Sequence, residues 1–416
     1  MDRGYKKLKI LLSAYSCEPG YSSERGVGWN WALQISKFHE VWVLTRLSNK
    51  EAIDEELTKK NFSDLHFAYF DLPKWLRFWK KGERGLYLYY ALWQLGSLFV
   101  SYKLHKQNKF DLTHYVTFGS ILLPTFIFLM PTKFILGPIG GGGKAPLKFL
   151  REFSFKGKIN ELLRHLVQKI YLLNPLLYLE TARADKILVR DKETYMMISR
   201  FFRKKTVKFL ETGMPPELLN FKKTNRSGIN QKKGIKIITV GRFIYSKINL
   251  ITLKVIKRFK EKYELPFEVY IVGDGYEKKN LLRYCIENNI SNNINFTGWI
   301  DNKKVLELLA ESDIYLSTSF KEGGSWALFE SIGMEVPIVS LKMGGPDIII
   351  CDGGGIKVKV DSPDQVVEDL SEGLLKLAKD STYRRNLALV AKEHLLNNHT
   401  WEKIGQKINK LYEEVV

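Results

Sequence analysis

Short, mostly apolar runs alternate with longer segments of mixed polarity along the first half of the chain. A short apolar run between polar residues is typical of a buried strand, and a longer amphipathic segment is typical of a helix. The predicted strands are Lys9–Ala14, Glu40–Thr45, His66–Phe70, Asp111–Val116, Lys133–Leu136 and Lys186–Val189. The predicted helices are Gly26–Lys37, Leu86–His105 and Lys156–Leu173. This βαβ rhythm predicts an α/β fold with a doubly wound parallel sheet.

The rhythm restarts after Pro215–Gly234, a segment rich in Lys, Asn, Ser and Gly that we interpret as a linker. The strands predicted after it are Lys236–Val240, Glu268–Val272, Ile294–Thr297, Ile314–Ser317 and Val336–Val339. The helices predicted there are Asn249–Lys262, Lys278–Asn288, Lys303–Ala310, Trp326–Met334 and Glu402–Glu413. We therefore expect two Rossmann-like domains, 1–216 and 217–396, with ligands in a cleft at the carboxyl ends of the strands. Residues 397–416 are expected to form a helix that packs back on the N-terminal domain.

Length and composition agree with this division. A chain of 416 residues is longer than one core comfortably supports, and its 45% apolar content is that of a globular protein. Its three cysteines, Cys17, Cys285 and Cys351, are widely spaced, which favours a reducing compartment over a disulfide framework. The N-terminal apolar run is short and predicts a buried strand rather than a signal peptide. No membrane-spanning helix is expected. From the cysteine usage we predict a cytoplasmic protein.

The net charge of +20 is concentrated in the first half of the chain. Residues 1–216 hold 35 Lys and Arg against 19 Asp and Glu, a net charge of +16. The same half contains the aromatic-rich stretches Trp75–Lys81 and Leu86–Leu95. Basic residues among interfacial aromatics favour contact with an anionic membrane surface, at the inner face of the cell membrane. The alternative is a solvated basic face over an ordinary core helix. Nucleic acid is not an expected partner, because no recognised binding motif is present.

The segment Glu322–Glu330 carries the strongest chemical signal. It places two glutamates eight positions apart, on a glycine turn and on the helix predicted after it. A strand, a glycine-rich turn and a helix N-terminus together bind phosphate well, because free backbone N–H groups and the helix dipole point at the anion. Carboxylates accept hydrogen bonds from sugar hydroxyls. The pattern predicts a nucleotide-sugar site.

Several motifs, in this order and spacing, resemble the retaining glycosyltransferases of family 4, which have the GT-B fold. The second half supplies Val240–Arg242 with Lys247, Val272–Gly275, Phe296–Gly298, Glu322–Glu330, Gly344–Pro346 and Gly353–Gly354. The first half supplies Glu18–Trp31 and Gly137–Gly142, which resemble a branch that builds bacterial surface polysaccharides. Two positions depart from the family pattern. Ile248 follows the lysine where glycine is usual, and Glu335 stands where a small residue is usual.

The resemblance implies a role for each motif. Arg242 and Lys247 would bind the donor diphosphate and stabilise the charge of the departing nucleoside diphosphate. Glu330 would accept hydrogen bonds from the ribose, and Glu322 would hold hydroxyls of the transferred sugar. The remaining donor-binding candidates are Gly26, Gly28, Gly241, Gly273, Gly298, Ile300, Gly323, Gly324, Ser325 and Trp326. The alternative for each is an ordinary turn or surface residue.

Two further features are left open. His114, at the end of a predicted strand, would contact the reacting sugar if it matches a histidine of the family, or would be a satisfied core histidine. Gly140–Gly143 is expected to line the cleft, without assignment to donor or acceptor. No Asp-x-Asp pair lies where a metal-dependent transferase needs one, so we expect neither a metal nor another cofactor.

These expectations combine into a retaining, metal-independent hexosyltransferase with a nucleotide-diphosphate sugar as donor. Its expected acceptor is a lipid-linked saccharide in surface polysaccharide synthesis. The alternatives are a GT-B epimerase or phosphorylase, a dinucleotide-dependent oxidoreductase, and a non-catalytic, basic scaffold at the membrane. The oxidoreductase is disfavoured because the first loop has only Gly26-x-Gly28 instead of the full G-x-G-x-x-G fingerprint.

Overall fold

The computed structural model describes residues 7–20, 24–60, 62–80, 82, 84–171, 173–221 and 234–416. Residues 222–233 of the predicted linker, Tyr21–Ser23 of the front motif, Lys81 and Leu172 lie outside these ranges. The chain forms two compact units. Unit 1 contains residues 1–142, 168–212 and 401–416, and unit 2 contains residues 143–167 and 213–400. Residues 143–167, which the sequence analysis left in the N-terminal domain, therefore group with the second unit.

Unit 1 is built on a parallel sheet whose order is β3-β2-β1-β4-β5-β6-β7 in the described part of the chain. Its strands are β1 Lys9–Ala14, β2 Glu40–Arg46, β3 Leu65–Phe70, β4 Leu112–Thr117, β5 Lys133–Ile139, β6 Lys186–Val189 and β7 Thr206–Lys208. The helices that begin in residues 1–212 are α1 Glu24–Ser36, α2 Lys50–Lys59, α3 Leu86–Asn108, α4 Phe155–Tyr171, α5 Pro175–Arg183 and α6 Lys192–Met197. The boundary between the units at residues 167 and 168 falls within α4.

Unit 2 has a second parallel sheet of order β10-β9-β8-β11-β12-β13. Its strands are β8 Ile235–Val240, β9 Phe267–Val272, β10 Ile294–Gly298, β11 Ile314–Ser317, β12 Ile338–Leu341 and β13 Gly355–Val358. Its helices are α7 Leu250–Lys262, α8 Lys278–Glu287, α9 Asn302–Glu311, α10 Trp326–Gly333, α11 Gly344–Ile349, α12 Pro363–Lys379 and α13 Ser381–Asn398. The last helix, α14 Trp401–Val415, belongs to unit 1.

Polar caps set where several helices of unit 2 begin. The Asn249 side chain accepts a hydrogen bond from the Ile251 N–H at 3.0 Å, and its own N–H is capped by Thr252. Asp301 caps α9, and Ser362 with Gln365 forms a capping box on α12. Such caps satisfy N–H groups that have no partner within the helix. They fix the ends of the helices that flank the sheet.

The two doubly wound parallel sheets confirm the predicted fold class. Strands β1, β6 and β11 have the predicted bounds, and the strand expected at Val336–Val339 runs from Ile338 to Leu341. The elements without a sequence prediction are α2, α5, α6, β7, α11, β13, α12 and α13. No helix of the described chain is both long enough and apolar enough to cross a bilayer.

Candidate functional site

The order of the strands in unit 2 reverses between β8 and β11. Strands β9 and β10 follow β8 in one direction, whereas β12 and β13 follow β11 in the other. In open α/β sheets, ligands bind at the carboxyl ends of the strands at such a reversal. Here the loop after β8 carries Arg242 and Lys247, and the loop after β11 carries Glu322.

Hydrogen bonds hold these two loops together. The Ser246 carbonyl accepts from the Phe320 N–H at 2.9 Å and from the Ser319 hydroxyl at 3.2 Å. The Thr318 hydroxyl donates to the Lys247 carbonyl at 3.2 Å. The backbone of each loop is therefore positioned by the other, which brings Lys247 to Glu322. Thr318 and Ser319 had no place in the sequence prediction, although a run of small hydroxyl residues directly after a buried strand is a signal for them.

Lys247 and Glu322 form an ion pair at the centre of this site. The Lys247 Nζ lies 2.9 Å from Glu322 Oε1, and the Glu322 side chain is only 10% exposed. Burial on its own raises the pKa of Glu322. The Lys247 charge and hydrogen bonds from Ser319, Lys247 and Ser325 outweigh burial and hold that pKa below its usual value. Glu322 is therefore a carboxylate at neutral pH.

Two glycines at the start of α11 allow a close approach to the Glu322 loop. The Gly345 N–H donates to the Glu322 carbonyl at 2.7 Å. A Cβ at Gly345 would lie 1.8 Å from the Gly323 carbonyl oxygen, so only glycine fits there. The predicted Gly344–Pro346 loop is thus the first turn of a short helix that supports the turn carrying Glu322.

Glu330 lies on α10, two turns beyond the glycine turn, and is 5% exposed. It accepts a hydrogen bond from the Asn302 side chain at 2.8 Å. Burial raises the pKa of Glu330, the Asn302 bond lowers it, and the nearby charge of Glu217 raises it further. A carboxylate that is poorly solvated and has one donor gains from additional donors, such as a vicinal diol. Asn302 and Glu217 had no sequence prediction, because they approach Glu330 only in the folded unit.

Three predicted glycines meet at the same edge of the sheet. Gly241 follows β8, Gly273 follows β9, and Gly298 ends β10. The Gly273 N–H donates to the Gly298 carbonyl at 3.0 Å, and a Cβ at Gly273 would lie 2.0 Å from the Gly241 carbonyl oxygen. Gly273 also has a positive φ of 127°, a conformation that L-residues with a side chain rarely adopt. Ile300 follows in the next turn, half-buried, after the exposed Trp299.

The other predicted donor-binding residues differ in their exposure and in their contacts within the protein. Arg242 is exposed and forms no salt bridge with any residue that the structure describes. The Ser325 N–H donates to the Gly323 carbonyl at 2.9 Å, and α10 begins at Trp326, so the turn of Gly323 and Gly324 leads directly into the positive end of a helix. Ile248, the first departure from the family pattern, is buried, and its Cδ1 lies 3.7 Å from where a Cβ at Gly241 would be.

Glu335, the second departure, adopts a positive φ of 57°. Glycine takes this conformation without strain, which accounts for a small residue being usual at this position. The Glu335 carboxylate pairs with Lys392 Nζ at 3.0 Å, and both side chains are largely buried. The ion pair holds a side chain in a backbone conformation that disfavours it.

A buried polar cluster adjoins Glu322 and was not predicted. Glu161, on α4, is fully buried and accepts from the Lys321 Nζ at 2.7 Å, the Tyr245 hydroxyl at 2.9 Å and the Ala145 N–H at 2.7 Å. The Lys321 Nζ also contacts the Tyr245 hydroxyl. Burial, with the charge of Arg164, lowers the pKa of Lys321 to about 8, although Glu161 raises it. Lys321 precedes Glu322 directly, so this cluster positions the turn of the candidate site.

His114 lies in the core of unit 1 with no exposed surface. Its Nε2 is 2.7 Å from the Gly137 carbonyl, which can only accept, and its Nδ1 is 2.6 Å from the Tyr412 hydroxyl. Burial lowers the pKa of His114 to about 3, and the Gly137 carbonyl raises it by less. Both ring nitrogens are satisfied in a neutral imidazole. This placement favours the core histidine over a group that contacts a sugar.

Gly26 and Gly28 lie where the helix Gly26–Lys37 was predicted, and not in a loop between β1 and α1. Both lie inside α1, which begins at Glu24. A Cβ at Gly28 would lie 2.1 Å from the Ser16 carbonyl oxygen, so the glycine allows the helix to pack on the backbone after β1. The two residues therefore serve helix packing in unit 1. Their part in donor binding stays a prediction.

The four glycines after β5 are held by hydrogen bonds. The Gly142 N–H donates to the Thr194 hydroxyl at 3.0 Å, and the Gly141 carbonyl accepts from the Gln168 side chain at 2.8 Å. The Gly143 carbonyl accepts from Arg164 at 3.2 Å. Within each unit these bonds give the segment a fixed path.

In the described part of the chain, no group of three or more His, Cys, Asp or Glu side chains has the arrangement of a metal site.

Known proteins share parts of this sequence. Residues 220–394 match the family model described as "Glycosyl transferases group 1". An uncharacterized glycosyltransferase of Methanocaldococcus jannaschii is 32% identical over 191 residues, which are 44% of this chain and 46% of that protein. A lipopolysaccharide core biosynthesis glycosyltransferase, LpsE of Rhizobium meliloti, is 25% identical over 169 residues, or 40% of this chain and 46% of that protein. The chain thus matches less than half the length of these relatives.

Solved structures share the fold over nearly the whole chain. A glycosyltransferase from Rickettsia africae superposes with a TM-score of 0.62 at 14% identity, over 99% of both chains. Anabaena HepE in complex with UDP and glucose superposes with a TM-score of 0.59 at 12% identity, over 98% of this chain and 100% of that one. The two Rossmann-like sheets are therefore those of the GT-B fold, and the sequence of residues 220–394 is similar to the glycosyl transferases group 1 family.

Proposed function

We propose that this protein is a retaining, metal-independent hexosyltransferase that uses a nucleotide-diphosphate sugar as donor. The observation that carries the proposal is the Lys247–Glu322 pair, 2.9 Å apart at the strand reversal of unit 2, in the segment that matches the group 1 family model. A cation beside a hydroxyl-binding carboxylate suits the junction of a diphosphate and a sugar. The complex of HepE with UDP and glucose is consistent with such a donor.

The four charged residues of the candidate site each have a chemical task in this reaction. Lys247 and the exposed Arg242 bind the diphosphate and stabilise the negative charge that grows on it as the glycosidic bond breaks. Glu322 binds hydroxyls of the transferred sugar, and Glu330 binds the ribose. The side chains of Lys247 and Arg242 supply the charge stabilisation that a divalent cation supplies in metal-dependent transferases.

We propose a front-face mechanism for retention. The acceptor hydroxyl attacks the anomeric carbon from the side that the diphosphate leaves. The bond between the anomeric carbon and the phosphate oxygen breaks, and the departing phosphate takes the hydroxyl proton. The product then has the α-configuration of the donor. Exclusion of water from around the bound donor would limit hydrolysis.

The acceptor that we propose is a growing saccharide, lipid-linked at the inner face of the cell membrane, in surface polysaccharide synthesis. The lipopolysaccharide core enzyme LpsE among the relatives supports this class of acceptor. The aromatic stretches supply part of the surface contact, because Trp75, Phe78 and Tyr87 are all more than 65% exposed. The net charge of +16 on residues 1–216 favours an anionic surface.

The test begins with binding and proceeds to transfer. A thermal-shift panel of UDP, GDP, ADP, CMP and dTDP, with and without EDTA, identifies the donor class. A ligand at 100 times its Kd should stabilise the fold by about 2.7 kcal/mol. The matching radiolabelled sugar nucleotide is then incubated with a membrane extract, and the anomeric configuration of the product is read by NMR.

Each result bears on the proposal. An EDTA-insensitive shift with one diphosphate, followed by an α-linked product, supports it. Sugar nucleotide that is converted without an acceptor indicates an epimerase or a phosphorylase. A protein that binds none of the nucleotides, yet binds membranes, is the scaffold, and the proposal is then wrong.

A further inference from the structure

Helix α4 presents a row of large apolar residues to the outside and buries the polar residues Glu161 and Gln168 against the protein. Its exposed large residues are Phe155, Ile159, Leu162, Leu163, Leu166, Val167 and Ile170, with exposed fractions between 42% and 79%. At 100° per residue these positions fall on one face, which we name the α4 stripe. From Phe155 to Ile170 the stripe is about 22 Å long at 1.5 Å per residue.

The opposite face of α4 is polar and is fixed by hydrogen bonds. Glu161 is fully buried, and it accepts from the Ala145 N–H, the Tyr245 hydroxyl and Lys321. His165 lies 3.0 Å from the Ala145 carbonyl, and Gln168 donates to the Gly141 carbonyl at 2.8 Å. Gly157 packs against Tyr245, where a Cβ would lie 2.7 Å away. These contacts fix the rotation of the helix, so the outward orientation of the stripe is built into the fold.

This arrangement is the reverse of an ordinary surface helix. An amphipathic helix of a globular protein turns its apolar face to the core and its charged face to water. Contiguous exposed apolar surface of this kind marks an interaction site. The ligand of the stripe must therefore be apolar over about four turns of helix.

The charges beside the stripe identify that ligand. Lys158 and Lys169 lie along the same edge of the stripe, and neither forms an ion pair with a residue that the structure describes. Helix α4 holds Lys156, Lys158, Arg164 and Lys169 against Glu161, a net charge of 4 − 1 = +3. Two copies joined antiparallel through the stripe by a two-fold axis would bring these lysines together, which is unfavourable. An anionic lipid surface offers an apolar layer below and negative charge at the rim.

We infer that α4 lies in the surface of an anionic lipid bilayer, with the α4 stripe in the acyl boundary and Lys158 and Lys169 at the headgroups. This inference rests on the membrane contact in the proposed function and names the element that makes it. It adds a surface different from the aromatic stretches at Trp75 and Tyr87. The protein then needs no spanning helix to stay at the bilayer.

The experiment is flotation of the purified full chain with two kinds of vesicle, pure phosphatidylcholine and an equal mixture with phosphatidylglycerol. Leu162→Ser with Leu166→Ser should weaken partitioning into both kinds by at least about tenfold, because apolar burial is lost. Lys158→Gln with Lys169→Gln should weaken binding to the anionic vesicles by about fivefold per lysine and leave binding to phosphatidylcholine unchanged. Leu389→Ser with Val390→Ser removes two exposed apolar residues of α13 and is the matched control.

Each outcome is decisive, because donor binding is measured in parallel. Variants that keep the diphosphate-induced thermal shift but no longer float support the inference. Variants that float as well as the unchanged chain overturn it, and so does a stripe-dependent dimer in light scattering. An unchanged chain that transfers sugar but does not bind either vesicle also overturns it and leaves the proposed transferase standing. A chain that floats through the stripe without transferring sugar refutes only the catalytic proposal.

Discussion

Lys247 donates a hydrogen bond to Glu322 across 2.9 Å, and the carboxylate of Glu322 is almost withdrawn from water. Each side chain is therefore the principal charged partner of the other. A bound sugar diphosphate would share the lysine with the carboxylate, so the site holds its cation in place before the donor arrives. Preorganised charge of this kind lowers the reorganisation needed when the leaving group gains charge.

Lys247→Ala should lower kcat by about 10²–10³-fold, as loss of a transition-state donor does in other enzymes. It should also destabilise unit 2, because the buried Glu322 carboxylate loses its partner. Steady-state kinetics and urea unfolding measure the two effects. Lys59→Ala, which removes an exposed ion pair with Glu55, is the control and should change neither. The stability part would be contradicted if adding Glu322→Gln to Lys247→Ala recovered none of the lost stability.

Glu330→Gln should weaken binding of the preferred nucleoside diphosphate by about tenfold, since hydrogen bonds to a charged acceptor contribute about 1.5–3 kcal/mol. The fold should stay intact, because Gln keeps the acceptor that Asn302 uses. Calorimetric titration gives the Kd, and Glu307→Gln, on the exposed face of α9, serves as the control. Equal affinity in the two variants would remove Glu330 from the ribose contact.

His114→Gln should lower the stability of unit 1 by about 2 kcal/mol and leave kcat within about twofold. The physical reason is that His114 is buried and satisfies both the Gly137 carbonyl and the Tyr412 hydroxyl, geometry that Gln does not reproduce. Thermal unfolding and kinetics on the same preparation separate the two roles. A large fall in kcat without a change in melting temperature would restore the catalytic interpretation.

Glu180 should make the protein less stable as the pH rises from about 4.5 to about 8. Burial raises the pKa of this carboxyl to about 8, although the Thr125 N–H lowers it by a hydrogen bond. The folded state therefore holds a proton that the unfolded state, with its pKa near 4.3, has lost. The stabilisation is complete below pH of about 4 and has disappeared above the folded pKa. Urea unfolding at several pH values measures this slope.

The matched variant for Glu180 is Glu180→Gln, which stays neutral and still accepts from Thr125. The free energy of unfolding of this variant should lose a few kcal/mol less between pH of about 5 and 8 than that of the unchanged chain, since each pKa unit corresponds to about 1.4 kcal/mol. Parallel slopes for the variant and the unchanged chain would show that Glu180 is ionised in the fold.

The fold class followed from local pattern, because parallel strands buried on both faces read as short apolar runs wherever they lie. The carboxylates of the candidate site were also found from the sequence pattern, and its cations from the resemblance to a family motif after a strand. What the sequence did not contain was their pairing. Lys247 reaches Glu322 only because Ser246 and Phe320 join two loops that are far apart in the chain.

Two residues of the first unit show the same limit. A helix was predicted from Gly26, but the reason for glycine at position 28 is a tertiary contact: a Cβ there would lie 2.1 Å from the Ser16 carbonyl oxygen. The periodicity of the sequence predicted that α4 is a helix, but it did not predict which face of the helix is buried. Only the buried partners of Glu161 decide which face is turned outward.

The inverted orientation of α4 also reverses the usual relation between hydrophobicity and tolerance to substitution. In an ordinary helix the apolar positions carry the stability and the polar positions vary freely. In α4 a library selected for thermal stability should accept serine or threonine along the stripe and reject changes at Gly157 and Glu161. Selection for binding to anionic vesicles should show the apolar positions to be constrained as well. Positions that tolerate substitution under the first selection but not under the second would be those that contact lipid without contributing to the stability of the fold.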